Sequence, residues 1–199
     1  MDKARWDARY SGDELIWSAE PNQYLVEEAA DLRPGRALDL ASGEGRNAIW
    51  LARQGWKVTG VDFSDAGMNK ARRHSAGLDI EWVIADLADY VPEPGAFDLV
   101  IIFYLHVGVE TRRAVIERAC RAVASGGTLL IAAHHLENLE HGYGGPQDPA
   151  ILPTEAELAS EVRGLEITKA DRVLREVDTP EGPKQAIDAL VRAERAHSL

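Results

Sequence analysis

Carboxylates stand at three points where the sequence predicts that β-strands end. Asp39 lies at the end of the apolar run 36–40, Asp62 follows the run 57–61, and Asp86 follows the run 80–84. Because parallel strands end at one edge of a sheet, the three acids are expected to lie together. An acid after the second strand can accept hydrogen bonds from both hydroxyls of a ribose. An acid after the third strand can accept a hydrogen bond from the amino group of adenine. The combination predicts an adenosine ligand.

A glycine-rich loop, Asp-Leu-Ala-Ser-Gly-Glu-Gly-Arg-Asn, occupies residues 39–47. Its small residues let the backbone pass close to a ligand before a helix begins. A dinucleotide-binding loop would read G-x-G-x-x-G and would seat a pyrophosphate, which the acid Asp39 would repel. The loop therefore favours a cationic or zwitterionic ligand.

Histidines offer proton-transfer chemistry at the ends of the fourth and fifth predicted strands. His106 follows the run 97–103, and His134 and His135 follow the run 128–133. Because a neutral imidazole can act as general base toward a hydroxyl or amine, these three histidines are the candidate catalytic residues. The donors of segment 134–141 match no known metal-site spacing, so no metal is expected.

The elements that must position these residues alternate along the chain. The strand-like runs are 36–40, 57–61, 80–84, 97–103 and 128–133, and the helical patterns between them are 46–54, 65–75 and 109–124. Such alternation predicts parallel strands joined by crossover helices. Two further strand-like segments, 165–177 and 184–195, are joined by a short turn and must be antiparallel. The predicted fold class is α/β, with a Rossmann-like, doubly wound, mostly parallel seven-stranded sheet and a C-terminal antiparallel hairpin.

Glycine, proline and threonine mark the expected helix boundaries. Gly126 and Gly127 are expected to end the helix 109–124 at its C-terminus. Pro21 is expected to open a helix that runs to about Leu32, and Thr154 begins a capping box.

Composition limits the class of protein. The chain has 199 residues, of which 45% are hydrophobic, so one domain spanning 1–199 is expected. The formal net charge is −11 and no basic cluster could follow a phosphate backbone, so nucleic acid is not an expected partner. The longest apolar run, 99–105, is too short for a membrane helix. We expect a cytoplasmic monomer or homodimer without membrane contact, and the single Cys120 excludes an internal disulfide.

The glycine-rich loop and the strand-end acids resemble those of the class I S-adenosylmethionine-dependent methyltransferases over nearly the whole chain. The resemblance implies that S-adenosylmethionine is bound and S-adenosylhomocysteine released. Ala41 stands where the family usually has its first glycine, a departure that keeps a small residue. The motifs and the resemblance together assign the cofactor to Trp6, Tyr10, Trp17, Asp39, Ala41, Gly43, Gly45, Arg46, Asn47, Asp62, Phe63, Asp86, Leu87 and Phe103.

A narrower resemblance links the opening segment, with Trp6, Tyr10, Trp17 and Pro21-Asn22, to the tellurite-resistance and thiopurine methyltransferases. It implies that residues 1–20 form a lid over the cofactor and that the acceptor has a soft sulfur, selenium or tellurium nucleophile. The loop 134–153 follows the fifth strand and is expected to close over the substrate. Residues 103–106 do not resemble the motif of enzymes that methylate base or glutamine amino groups, and with the acidic charge this favours a small-molecule acceptor. Two other functions stay open: a nicotinamide-dependent oxidoreductase of Rossmann type, and a protein that binds S-adenosylmethionine without turning it over.

Overall fold

Parallel strands form the centre of the computed structural model, which describes residues 3–197. Strands β1 (Arg36–Leu40), β2 (Lys57–Asp62), β3 (Ile80–Ile84), β4 (Phe97–Phe103) and β5 (Val123–His134) are followed by β6 (Glu166–Val177) and β7 (Lys184–Glu194). The sheet order is β3-β2-β1-β4-β5-β7-β6, and β7 runs antiparallel to both of its neighbours. The predicted fold class is therefore confirmed.

Seven α-helices connect or flank these strands within residues 3–197. They are α1 (Lys3–Tyr10), α2 (Gln23–Ala29), α3 (Arg46–Arg53), α4 (Asp65–His74), α5 (Val109–Ala122), α6 (Asn138–His141) and α7 (Glu155–Glu161). The start of α2 differs from the prediction, because the Asn22 side chain caps it by accepting from the Tyr24 amide. The capping box of Thr154 and Glu157 is present and starts α7.

Apolar layers cover both faces of the sheet. One packs α5 and α7 against the strands, with Val100 and Ile102 of β4 pointing into it. The other packs α2 and α3 against the opposite face, with Leu99 and Ile101 pointing the other way. The two-residue alternation of β4 thus serves two cores, as expected for a strand buried on both faces. No helix between residues 3 and 197 has the length and apolar character needed to cross a membrane.

The glycine pair at 126–127 does not end a helix, so that prediction was wrong. Helix α5 ends at Ala122, and β5 begins at Val123 and contains both glycines. Gly126 has φ 75°, and its amide donates to the Arg195 carbonyl. A β-carbon on Gly127 would lie 3.0 Å from three main-chain oxygens. These glycines allow an irregular, closely packed start of β5, a use that the sequence does not distinguish from a helix end.

Candidate cofactor and acceptor site

The glycine-rich loop joins β1 to α3 at the edge where the parallel strands end. Ala41, Gly43 and Gly45 have positive φ values of 67°, 54° and 84°. A β-carbon on Gly43 would lie 2.9 Å from the Tyr10 hydroxyl, and one on Gly45 would lie 2.6 Å from the Trp82 ring. The loop thus needs glycine for its backbone angles and for close contact with two aromatic rings.

Two buried carboxylates lie beside this loop. Asp62 accepts from the Gly43 amide through one oxygen and from the Ser64 amide through the other, each at 2.9 Å. Asp39 is 1% exposed, and its Oδ2 has no hydrogen-bond partner among the described residues. Burial, followed by the charge of Asp62, raises the pKa of Asp39 to about 7. A buried carboxylate with one unpartnered oxygen suits a ligand that brings a positive charge.

The aromatic residues of the opening segment lie against the glycine loop. The Trp6 and Tyr10 rings stack at 5.3 Å, and Trp17 Nε1 donates to the Tyr10 hydroxyl at 3.3 Å. The Arg9 guanidinium lies over both tryptophan rings. Helix α1 is fixed to α4 by Asp7, which accepts from the Ser64 hydroxyl at 2.6 Å. The structure therefore brings the three aromatic residues together at the loop.

A polar network lies at the ends of β4 and β7. The Tyr104 hydroxyl donates to Asp188 Oδ2 at 2.9 Å and accepts from Asn22 Nδ2 at 3.0 Å. Arg175 Nε donates to the same Asp188 oxygen at 2.7 Å and to the Tyr104 hydroxyl at 3.1 Å. Burial alone would raise the pKa of Asp188, but contacts with His134 and Arg175 outweigh it and hold that pKa below its ordinary value. Tyr104 has φ 59°, a strained angle of the kind found at functional sites.

Two of the three predicted histidines belong to this network. The His106 and His134 rings stack at 5.3 Å. Burial, followed by the nearby His134, lowers the pKa of His106 to about 3, so its imidazole is neutral at pH 7. His135 does not join them: its Nδ1 accepts from the Glu137 amide and its Nε2 lies 3.0 Å from Glu155 Oε2. Successive residues at a strand end point in opposite directions, so His134 and His135 cannot share one site.

Residues 37–127 match the family described as Methyltransferase domain. This span holds the glycine-rich loop, both buried carboxylates and Asp86. This span, a little under half of the chain, is similar to a methyltransferase domain. S-adenosylmethionine is the cofactor that this family and the donor set both indicate, as the sequence predicted.

One curated relative has a similar sequence, and two solved structures share the fold. A demethylmenaquinone methyltransferase from Clavibacter sepedonicus is 33% identical over 60% of this chain and 48% of its own length. The chain thus spans about half the length of this curated relative. A structure described by the conversion of a disulfide bond into a thioacetal group during echinomycin biosynthesis superposes over 99% of this chain and 93% of its own, with a TM-score of 0.78 and 23% identity. TehB from Haemophilus influenzae superposes over 97% of this chain and 66% of its own, with a TM-score of 0.71 and 18% identity. At these identities the two structures show the fold alone.

Some predicted cofactor residues of this span pack in the protein core instead of lining the sheet edge. The Phe103 side chain is 6% exposed and belongs to the apolar layer beneath α2 and α3. The Leu87 side chain belongs to the opposite layer, and its carbonyl accepts from Arg118. Asn47 is buried, and its side chain accepts from the Asn22 amide at 2.9 Å, which fixes the start of α2. These side chains pack behind the sheet edge and support the residues that line it.

Other predicted residues lie where they can meet a ligand. Phe63 is half-buried directly after Asp62, and Arg46 is half-buried at the start of α3. Asp86 is exposed, and its side chain accepts from the Ala88 amide at 2.8 Å. No cluster of metal-binding side chains occurs in the part of the chain that the structure describes.

Sequence reasoning missed a buried ion pair that attaches the opening segment to the glycine-rich loop and α4. Lys70 Nζ and Glu44 Oε1 lie 2.8 Å apart and both side chains are buried. Glu44 accepts from the amides of Ile16 and Trp17, and Lys70 donates to the Glu14 carbonyl. An acid between two glycines was the only local signal, since nothing near Lys70 in sequence indicates its partner.

Replacing the acids by alanine should separate their roles. We expect Asp62→Ala to weaken S-adenosylhomocysteine binding by about 10- to 150-fold, because charge-assisted hydrogen bonds are worth about 1.5–3 kcal/mol and the carboxylate also holds the loop. Asp86→Ala should weaken it by less than about 10-fold, since that carboxylate is exposed to water. Isothermal titration calorimetry measures both. Wild-type affinity in both variants would show that the adenosine lies elsewhere.

Proposed function

We propose that this chain transfers the methyl group of S-adenosylmethionine to a small-molecule acceptor. The observation that carries the proposal is the buried carboxylate of Asp39 beside the glycine loop, whose Oδ2 has no hydrogen-bond partner among the described residues. The cofactor's ammonium and sulfonium groups are cationic, so the cofactor can supply a positive partner for this oxygen. When bound, it supplies an electrophilic methyl group.

The chain's own residues bind the cofactor and align it with the acceptor. Asp62 is held by two backbone amides and keeps lone pairs for ribose hydroxyls, while Phe63 lies against the adenine. Residues 1–20 act as the lid; within the described part, Tyr10 is buried against Gly43 and excludes water. The loop 134–153 covers the acceptor, and a β-carbon on its Gly145 would lie 2.8 Å from the His134 ring. Alignment in a water-poor site is the main requirement for this displacement.

The acceptor is proposed to be a small molecule with a soft sulfur, selenium or tellurium nucleophile. The resemblance of the opening segment to tellurite-resistance and thiopurine methyltransferases supports the soft nucleophile. The net charge of −11 supports a cytoplasmic protein that binds neither nucleic acid nor a membrane surface. A quinol is the second candidate, because the relative from Clavibacter sepedonicus is named for demethylmenaquinone.

Thermal unfolding tests the cofactor assignment. A ligand at 100 times its dissociation constant adds about 2.7 kcal/mol, which for a chain of this size raises the melting temperature by about 5–10 °C. We expect that shift with S-adenosylmethionine and S-adenosylhomocysteine and none with NAD. A shift with NAD alone would favour the oxidoreductase hypothesis.

A screen for S-adenosylhomocysteine release tests the acceptor. It compares thiols, selenium and tellurium oxyanions, phenols, amines and a demethylated quinol at equal concentration. Turnover of thiols or chalcogen compounds supports an acceptor with a soft nucleophile. Turnover of the quinol alone would make the quinol the proposed acceptor instead. Tight cofactor binding without any turnover would favour a protein that binds the cofactor without reaction.

A further inference from the structure

Asp188 of β7 and His134 of β5 face each other across the antiparallel pair β5–β7. The two residues are direct partners in the strand register, and His134 Nδ1 lies 3.1 Å from Asp188 Oδ1. We propose that His134 takes the proton of the methyl acceptor and that Asp188 is the positioning residue that orients and stabilises its imidazole. This inference rests on the proposed methyl transfer, because it names the proton acceptor of that reaction.

The two facing atoms, His134 Nδ1 and Asp188 Oδ1, are the buried polar atoms of this pair that lack a hydrogen bond. Asp188 is completely buried, and its Oδ2 is held by Arg175 and Tyr104. Nδ1 and Oδ1 are close together but are not aligned as a formed hydrogen bond. Neither atom has a hydrogen-bond partner among the described residues. A buried carboxylate oxygen and an imidazole nitrogen in this position gain most when the imidazole becomes charged.

The opposite nitrogen of the His134 ring is left for the acceptor. Nδ1 faces Asp188, one ring face stacks on His106, and Gly145 of the loop 134–153 closes over the ring. The His134 side chain is 14% exposed, so the ring is enclosed but still reachable. A β-carbon on Gly145 would lie 3.0 Å from Nε2, so the loop 134–153 must shift for the acceptor to reach this nitrogen, which is the proposed general base.

The charged groups around His134 favour its role over that of the other histidines. It is faced by Asp188 from β7, by Arg175 through that carboxylate from β6, and by Tyr104 and His106 from the end of β4. His106 lacks a carboxylate contact and its Nε2 is buried without a described partner, so it stays neutral. His135 points toward Glu155 of α7 and takes no part.

The proposed step conserves atoms and charge. A lone pair of the acceptor atom forms a bond to the methyl carbon, and the carbon–sulfur bond breaks with its electron pair going to sulfur. The acceptor's proton passes to His134 Nε2, and Asp188 stabilises the resulting imidazolium. The proton then leaves to water when the loop opens.

Nitrogen NMR of the imidazole rings tests the dyad without cofactor or substrate. A carboxylate that faces Nδ1 favours the proton on that nitrogen and leaves Nε2 free to accept one, so the wild type should show the Nδ1–H tautomer of His134. In Asp188→Asn the amide oxygen should stay with Arg175 and turn the amide nitrogen toward Nδ1, which favours the Nε2–H tautomer. The exposed His74 on α4 is the internal control, and its signals should not change. The same His134 tautomer in the wild type and in folded Asp188→Asn overturns the proposal.

Paired thiols test the proton transfer in turnover. Phenylmethanethiol is largely protonated at pH 8, whereas thiophenol is largely ionised and needs no base. His134→Gln should lower kcat for phenylmethanethiol by about 100-fold or more and for thiophenol by less than about 10-fold, while His74→Gln changes neither. Equal losses for both thiols would assign His134 a structural role. If the wild type methylates neither thiol, these two compounds are not its acceptors, and the imidazole tautomer still decides the dyad.

Discussion

Asp39→Asn is expected to weaken S-adenosylhomocysteine binding by about 10- to 100-fold and to raise the melting temperature of the free protein at pH 8. The substitution keeps the shape of a buried side chain and removes its charge. The ligand then loses the partner of its cationic amino group, a charge-assisted interaction worth about 1.5–3 kcal/mol. The free protein loses a buried charge with one oxygen left without a hydrogen-bond partner, and its removal stabilises the fold.

The pH dependence of this variant follows from the raised pKa of Asp39. The carboxyl has a pKa of about 7 in the folded protein against its ordinary value of 3.8, so the folded state binds the proton more tightly than the unfolded state. The stability that protonated Asp39 contributes is complete below pH 3.8 and is lost as the pH rises to about 7. The gain in Asp39→Asn should therefore be absent near pH 4, grow up to about pH 7 and stay constant above it.

Calorimetry and thermal unfolding at pH 6 and pH 8 measure both effects. Wild-type affinity should decrease from pH 8 to pH 6 as Asp39 becomes protonated, and Asp39→Asn should lack that part of the dependence. The exposed Asp89→Asn is the matched control and should leave affinity and stability unchanged. Weaker binding without the gain in stability would mean that Asp39 has a partner in the free protein and is not poised for a cation.

The cofactor half of the site follows from short stretches of sequence. Asp39, Asp62 and Asp86 were placed at one sheet edge because strand ends and a glycine loop are local signals, and parallel strands align their ends. The residues of the acceptor half come from distant segments. Asp188 meets His134 only through the register of β7 against β5, and no residue near Asp188 in sequence indicates that pairing.

The glycines are a second example of a feature whose cause the local sequence does not reveal. The sequence predicts that Gly43 and Gly45 serve a tight loop, and their positive φ values agree. It assigned Gly126 and Gly127 to a helix end, although they open a strand. Glycine marks an unusual backbone position, but the neighbour that requires it is a matter of tertiary contact.

Gly45→Ala should lower the free energy of unfolding by about 2–5 kcal/mol, the largest stability effect expected in the loop. The left-handed φ of 84° alone costs an alanine about 1–2 kcal/mol. In addition, the new β-carbon would lie 2.6 Å from the Trp82 ring and 2.9 Å from the Ala71 β-carbon. Such overpacking of a filled core costs about 1–3 kcal/mol more.

Gly77→Ala separates the two contributions to this loss. Gly77 has a nearly equal φ of 81°, and a β-carbon there would have no atom within 4 Å. The control should therefore lose only the backbone part, about 1–2 kcal/mol, in urea unfolding followed by circular dichroism. Equal losses in the two variants would show that the Trp82 ring moves aside and that Gly45 is required for its backbone angle alone. A larger loss in Gly45→Ala would show that the loop is fixed by its packing on β3, which keeps the backbone in place for the cofactor before it binds.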